Sequence, residues 1–223
     1  MDEHVLTATR RSLHAVAEHL LAGPQYLHHA TIRLCSTPGG FGQVAGTLRV
    51  DGADLVVDGT RVRLTGTITA VAAAAGIEVG VPDGLYSDHA DLGPDDELAV
   101  DETAAALLAD WFARGDAGLR AFAPDEEPVI WPEHFDLAIA TGEVNYGISP
   151  GDGGHVGPYA YVGPWTPREG PFWNASFGAL RAATELPDSV AVAAFFADGR
   201  NAATPHRGGR DDDEPRLPGP PAR

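Results

Sequence analysis

The residues best suited to chemistry lie between Trp131 and Trp165. Trp131-Pro132-Glu133-His134-Phe135-Asp136-Leu137-Ala138-Ile139-Ala140 leads through Thr141-Gly142 into Glu143-Val144-Asn145-Tyr146-Gly147-Ile148-Ser149. Both halves alternate apolar and polar residues, which is the pattern of a strand with two different faces. A two-residue turn at Thr141-Gly142 pairs Phe135 with Ile148, Leu137 with Tyr146 and Ile139 with Val144. That register makes one face wholly apolar. On the other face, His134 then lies opposite Ser149, Asp136 opposite Gly147, and Ala138 opposite Asn145. Opposed Cβ atoms are roughly 5 Å apart, so His134, Asp136, Asn145 and Ser149 cluster with small residues between them.

A His and an Asp side by side are a candidate acid–base pair, because imidazole titrates closest to neutrality. His134 and Asp136 are therefore the candidate catalytic residues. Asn145 and Ser149 would orient a substrate, and Tyr159, Tyr161, Trp165 and Trp173 would wall it in. A polar floor with aromatic walls is the usual build of a small-molecule site. The glycine-rich loop Pro150-Gly151-Asp152-Gly153-Gly154-His155 can carry Asp152 and His155 over the same face. His134, Asp136, Asp152 and His155 are also the ligand types that hold zinc or iron, although their spacing is not diagnostic. Glu133 points to the opposite face, and His14 and Glu18 on the first helix could add ligands. The same face also fits a solvated outer surface of a sheet.

Gly147-Ile148-Ser149-Pro150-Gly151 matches the pattern of a hydrolase nucleophile elbow, but the chemistry excludes it. The residue after that serine must donate its backbone N–H to an oxyanion, and Pro150 has none. Ser149 reads instead as the opening of a turn. Gly39-Gly40-Phe41-Gly42 reads as a loop, not a phosphate cradle, because no basic residue or helix follows it.

The elements that must hold these residues are mixed. Residues 3–22 read as an amphipathic helix stopped by Gly23-Pro24. Strands are expected at about 29–35, 44–50 and 54–64, with a tight hairpin at Asp58-Gly59. A short helix is expected at 68–75 and an acidic loop at 82–101. Asp101 should cap a helix to about Phe122, with a break near Gly115. Strands follow at about 128–131, 134–140, 143–149 and 158–163, then a helix from Ser189 closed at Gly199. Helices and strands do not alternate regularly. The expected fold is therefore α+β: a single domain over residues 1–199, mainly antiparallel β-sheet packed with about four helices. Residues 200–223 read as a disordered tail.

Composition narrows the function. The 223 residues carry a net charge of −17, and all 15 basic residues are Arg. Chemistry that needs a lysine is excluded. Residues 198–223 hold five Arg and five acids, so the excess lies in the body of the chain. That body repels nucleic acid and anionic lipid, and a small-molecule ligand is the expected partner. Cys35 is the single cysteine, so no internal disulfide can form. Met1-Asp2-Glu3-His4 opens no signal peptide, and no apolar run approaches 18 residues. A soluble cytoplasmic protein is expected, and the Arg-, Ala-, Gly- and Pro-rich composition suits a high-GC bacterial genome.

Several stretches carry a family likeness: Trp-Pro-Glu-His-Phe-Asp-Leu-Ala (131–138), Asn-Tyr-Gly-Ile-Ser-Pro-Gly-Asp (145–152) and Pro-Tyr-Ala-Tyr-Val-Gly-Pro-Trp (158–165). With residues 37–42, 172–174 and 177–179 they resemble a bacterial family of no known activity from high-GC genomes. More remotely the chain is similar to a larger bacterial domain family, also of unknown function. The resemblance covers about residues 5–198 and implies one α+β domain. It lends no role to any residue. Two functions remain open: a protein that binds or acts on a small polar molecule, metal-assisted or not, and a non-catalytic interaction module using the aromatic 158–173 surface.

Overall fold

The computed structural model describes residues 1–81, 84–86 and 89–204. A helical run opens the chain: α1 (Glu3–Val16), a π-helical turn (Ala17–Ala22) and α2 (Gly23–His29). Gly23-Pro24 therefore does not end the helix. The Gly23 N–H reaches back to the Glu18 carbonyl, five residues away. This wider turn accommodates Pro24, whose ring would strike a carbonyl in a regular helix. The run stops at Ala30, which takes a left-handed conformation (φ 54°). The strand expected from residue 29 accordingly starts later.

A ten-stranded antiparallel sheet follows. Its strands are β1 (Leu34–Thr37), β2 (Gly40–Gln43), β3 (Arg49–Asp51), β4 (Asp54–Val57), β5 (Thr60–Arg63), β8 (Val129–Trp131), β9 (Asp136–Thr141), β10 (Val144–Ser149), β11 (Tyr159–Pro164) and β12 (Ala179–Ala182). Their order across the sheet is β12-β11-β10-β9-β8-β1-β2-β3-β4-β5. A two-stranded sheet pairs β6 (Thr65–Thr67) with β7 (Glu97–Ala99), the latter inside the expected acidic loop. The other helices are α3 (Ile68–Ala75), α4 (Glu102–Phe122) and α5 (Ser189–Ala203). The Asp58-Gly59 hairpin joins β4 to β5 as expected, and Asp101 caps α4 by accepting from Ala104 N–H. The fold is a single α+β domain. No helix among the described residues is long and apolar enough to cross a membrane.

The expected glycine loop at 39–42 is instead the tip of a hairpin and strand β2. Phe41 enters the core, and a Cβ on Gly40 would stand 2.4 Å from the Val50 carbonyl oxygen. Glycine is used here for a close strand approach that its low β-propensity hides.

Glycines inside the helices have the same cause. Helix α4 does not break at Gly115, and α5 does not close at Gly199. A Cβ on Gly115 would lie 2.4 Å from Ile148 Cγ1, and one on Gly199 would lie 2.7 Å from Val162 Cγ2. These two helices press their backbones onto β10 and β11. Leu137, Ile139, Tyr146 and Ile148 from the sheet meet Trp111, Phe112, Phe195 and Phe196 in the core. The expected apolar face of the 131–149 segment is the core face. The expected tail is helical as far as Ala203, and residues 205–223 lie outside the described residues.

Gly115→Ala tests this packing. Alanine gains about 1 kcal/mol of helix propensity over glycine. Overpacking against Ile148 costs about 1–3 kcal/mol, so the denaturant midpoint should fall. A raised midpoint would mean that α4 does not sit this close to β10.

Candidate functional site

Helices α4 and α5 cover one face of the sheet. The opposite face of β9, β10 and β11 carries Asp136, Asn145, Gly147, Ser149, Tyr159 and Tyr161, which all line or abut one cavity of about 750 Å³. Further wall comes from α1, the 89–91 segment, the loops at 133–135 and 150–153, residues 163–165 and Phe177.

The expected hairpin exists, with a register two residues away from the expected one. Gly142 and Glu143 form the turn, both with φ of 61°, and Thr141 pairs with Val144. Leu137 then pairs with Ile148, and Ala138 with Gly147. A two-residue shift keeps every side chain on its expected face. It changes the neighbours: the ladder continued by one step sets Asp136 beside Ser149.

His134 is not on the strand. Trp131 pairs with Asp136, so Pro132-Glu133-His134-Phe135 is the loop of a second tight hairpin. His134 is exposed at its tip and lines the cavity mouth, not the floor. The proline after Trp131 breaks the strand, and Phe135 takes a left-handed conformation (φ 52°). For a bulky residue that costs on the order of 1–3 kcal/mol. Packing offsets it: the Phe135 ring is buried between Phe41, Phe112 and His14. His14 stacks on Phe135 nearly parallel, and its Nε2–H donates to the Pro132 carbonyl at 2.6 Å. Burial lowers the His14 pKa, so the ring is held neutral. Helix α1 thus fastens the loop that delivers Glu133 and Asp136.

Asp136 is the centre of the site. It is buried, and one carboxyl oxygen accepts from the Tyr161 hydroxyl while the other, Oδ1, has no partner among the described residues. Tyr161 reaches it because Gly147, its cross-strand neighbour, has no side chain. A Cβ on Gly147 would stand 2.6 Å from the Tyr161 ring. Burial pushes the Asp136 pKa up to about 6. The Tyr161 hydrogen bond and His134 pull it down, and the Glu133 carboxylate adds to the rise. Burial, followed by the Asp136 charge, also holds the Tyr161 phenol well above its ordinary value.

Asp152 shows the opposite balance. It accepts from the Gly154 and His155 N–H groups, each at 2.7 Å, and from Tyr159 Oη at 2.5 Å. Burial raises its pKa, but these bonds and the nearby Arg10 charge bring it below the ordinary carboxylate value. Asp152 is therefore a fixed anion that folds the glycine-rich loop, and Asp136 is the group that can exchange a proton near neutrality. Ser149 opens the same loop by accepting from Gly151 N–H.

The other expected site residues divide. Tyr159 and Trp165 line the cavity, and so does Asn145, whose Oδ1 accepts from Trp165 Nε1 at 3.1 Å. His155 packs edge-on against Tyr159 and does not line it. Trp173 packs against Phe172 and also stands apart. Among the described residues, no three His, Cys, Asp or Glu side chains gather as a metal site. The expected ligand set of His134, Asp136, Asp152 and His155 is therefore not assembled. Tyr161 occupies one oxygen of Asp136, and backbone amides occupy Asp152.

Arg10, Arg11, His89, Asp91 and Phe177 also line the cavity and were invisible in the sequence. Arg10 is buried and donates to the Val156 carbonyl at 2.9 Å and the Asp152 carbonyl at 3.3 Å, bracing the loop from below. Glu18 is not a surface ligand. It is fully buried and accepts from Tyr86 Oη, His89 Nδ1 and Ala90 N–H. Those bonds fix His89 beside the cavity. The only hint available was the four-residue spacing of Arg10, His14 and Glu18.

The raised Asp136 pKa has a sign that can be measured. The folded state holds this proton more tightly than the unfolded chain, whose Asp has a value of 3.8. The group's stabilising contribution is full below about pH 4 and is lost as pH rises through about 6. Denaturation of Asp136→Asn and the unaltered protein should therefore diverge, with the Asn form gaining on the order of 2–3 kcal/mol relative to Asp between pH 4 and pH 7. A difference that stays constant across this range would contradict a buried, titrating Asp136.

Among known proteins, no protein-family model, no curated protein and no solved structure matches this chain. No residue of the site inherits a role from a relative.

Proposed function

We propose that the protein binds a small polar molecule in the cavity between helix α1 and the 131–165 sheet, and that Asp136 with Tyr161 forms the reactive floor. The observation that carries this reading is Asp136 itself: buried, hydrogen-bonded on one oxygen and, among the described residues, unpartnered on the other, in the lining of a cavity of about 750 Å³, with burial pushing its pKa up to about 6. Buried polar atoms are nearly always satisfied, and an exception in a cleft is a candidate for a ligand's donor. A pKa near the working pH suits a group that both takes and gives a proton. Tyr161 orients the carboxyl, His134 stands at the mouth, and Tyr159, Trp165 and Phe177 supply apolar walls. The acidic chain favours a small molecule over nucleic acid. A cytoplasmic bacterial setting accords with its composition and single cysteine.

The rim supports a second reading. Trp165 and Phe177 are 64% and 46% exposed, and exposed aromatics serve as anchors in protein interfaces. Concavity favours the first reading, because a flat interaction surface has no use for a buried acid.

Saturation-transfer NMR against a library of small polar molecules separates the two. Binders should compete for one site. Tyr161→Phe should weaken them about tenfold or more, the scale of a lost hydrogen bond to a charged group, with the melting temperature nearly kept. Binders indifferent to both Tyr161→Phe and Asp136→Asn would sink the cavity reading.

A further inference from the structure

The cavity lining holds four carboxylates, Asp91, Glu133, Asp136 and Asp152, and two guanidiniums, Arg10 and Arg11. Arg11 pairs with Asp91 at 3.2 Å. Arg10 is bound into the Asp152 loop through that residue's carbonyl, and its charge acts on the Asp152 carboxylate. Both positive charges are thus committed. Among the described residues, Glu133 and Asp136 have no Arg partner. Each also has one buried carboxyl oxygen with no hydrogen-bond partner among the described residues, Glu133 Oε2 and Asp136 Oδ1. The two residues, three apart on one tight hairpin, both line the same cavity. They share it with Tyr161, Trp165 and Phe177.

We propose that the occupant of this cavity is an organic cation, an amine or amidine with at least two N–H donors, accepted by Glu133 and Asp136 and covered by the aromatic walls. This rests on the cavity being a ligand site, as proposed above, and adds the chemical class. A protonated amine supplies the two donors that the acceptors lack. Its charge offsets the repulsion between the two carboxylates, and ring faces attract cations. An anion meets two carboxylates, while both lining guanidiniums are already bonded within the chain. A neutral alcohol offers one donor for two acceptors. The net charge of −17 draws a cation toward the mouth.

Calorimetric titration at neutral pH with four phenyl probes tests the class. Benzylammonium and benzamidinium carry the cation; benzyl alcohol and benzoate match them in size without it. The expected result is saturable one-site binding of the two cations, with the alcohol and the acid at least about tenfold weaker. Glu133→Gln, a change in a half-exposed loop, should weaken the cations about tenfold or more without lowering the melting temperature. Equal or tighter binding of benzyl alcohol or benzoate would overturn the cation class and leave the cavity reading standing. Cation binding that survives both Glu133→Gln and Asp136→Asn would overturn the assignment to these acceptors. If none of the four probes saturates, the cation class falls, and the cavity reading is decided by the NMR screen.

Discussion

A carboxyl group buried at the first residue of a strand is the constraint around which this site is arranged. Burying an ionised carboxylate costs several kcal/mol unless it is paired or becomes neutral. Asp136 has neither a basic partner nor a full set of donors. It has Tyr161 on one oxygen and an elevated proton affinity. The neighbouring sequence serves that arrangement. Gly147 makes room for the phenol, and Phe135 accepts a left-handed backbone so that the strand can start at Asp136. His14 holds the preceding loop against helix α1 through the Pro132 carbonyl.

The two faces of the sheet use glycine for opposite ends. On the core face, Gly115 and Gly199 let helices α4 and α5 lie close on β10 and β11, which leaves no space. On the site face, Gly147 and Gly163 leave space that large aromatic side chains only partly fill. The first makes a rigid platform and the second makes a cavity on it. Asp152 then completes the rim by gathering the glycine-rich loop around its own carboxylate. Its low pKa and the high pKa of Asp136 come from the same residue type in two settings: many donors in one, burial with few donors in the other.

Much of this was legible in the chain. The apolar alternation of Leu137, Ile139, Tyr146 and Ile148 identified the core face, and parity alone put Asp136, Asn145 and Ser149 on the other. A two-residue register error does not disturb parity, which is why the site survived it. His134 was misplaced because the second strand was started two residues early, inside the turn that follows Pro132. The roles of glycine were hidden for a general reason. Gly40, Gly115 and Gly199 weaken local propensity, and their use appears only when the partner backbone or side chain is in view. Arg10, Arg11 and His89 were missed because tertiary packing brings α1 and the 89–91 segment to the sheet. The metal set failed because residue type was counted without asking which oxygens the chain itself would occupy.

The central claim is that Asp136 is a buried proton-exchanging group held by Tyr161. The most direct test is the carboxyl carbon chemical shift of Asp136 followed by NMR as pH is raised. The account requires a titration midpoint near 6, moved further upward in Tyr161→Phe because that hydrogen bond favours the charged form. A midpoint near the ordinary aspartate value of about 4, unchanged by Tyr161→Phe, would contradict it.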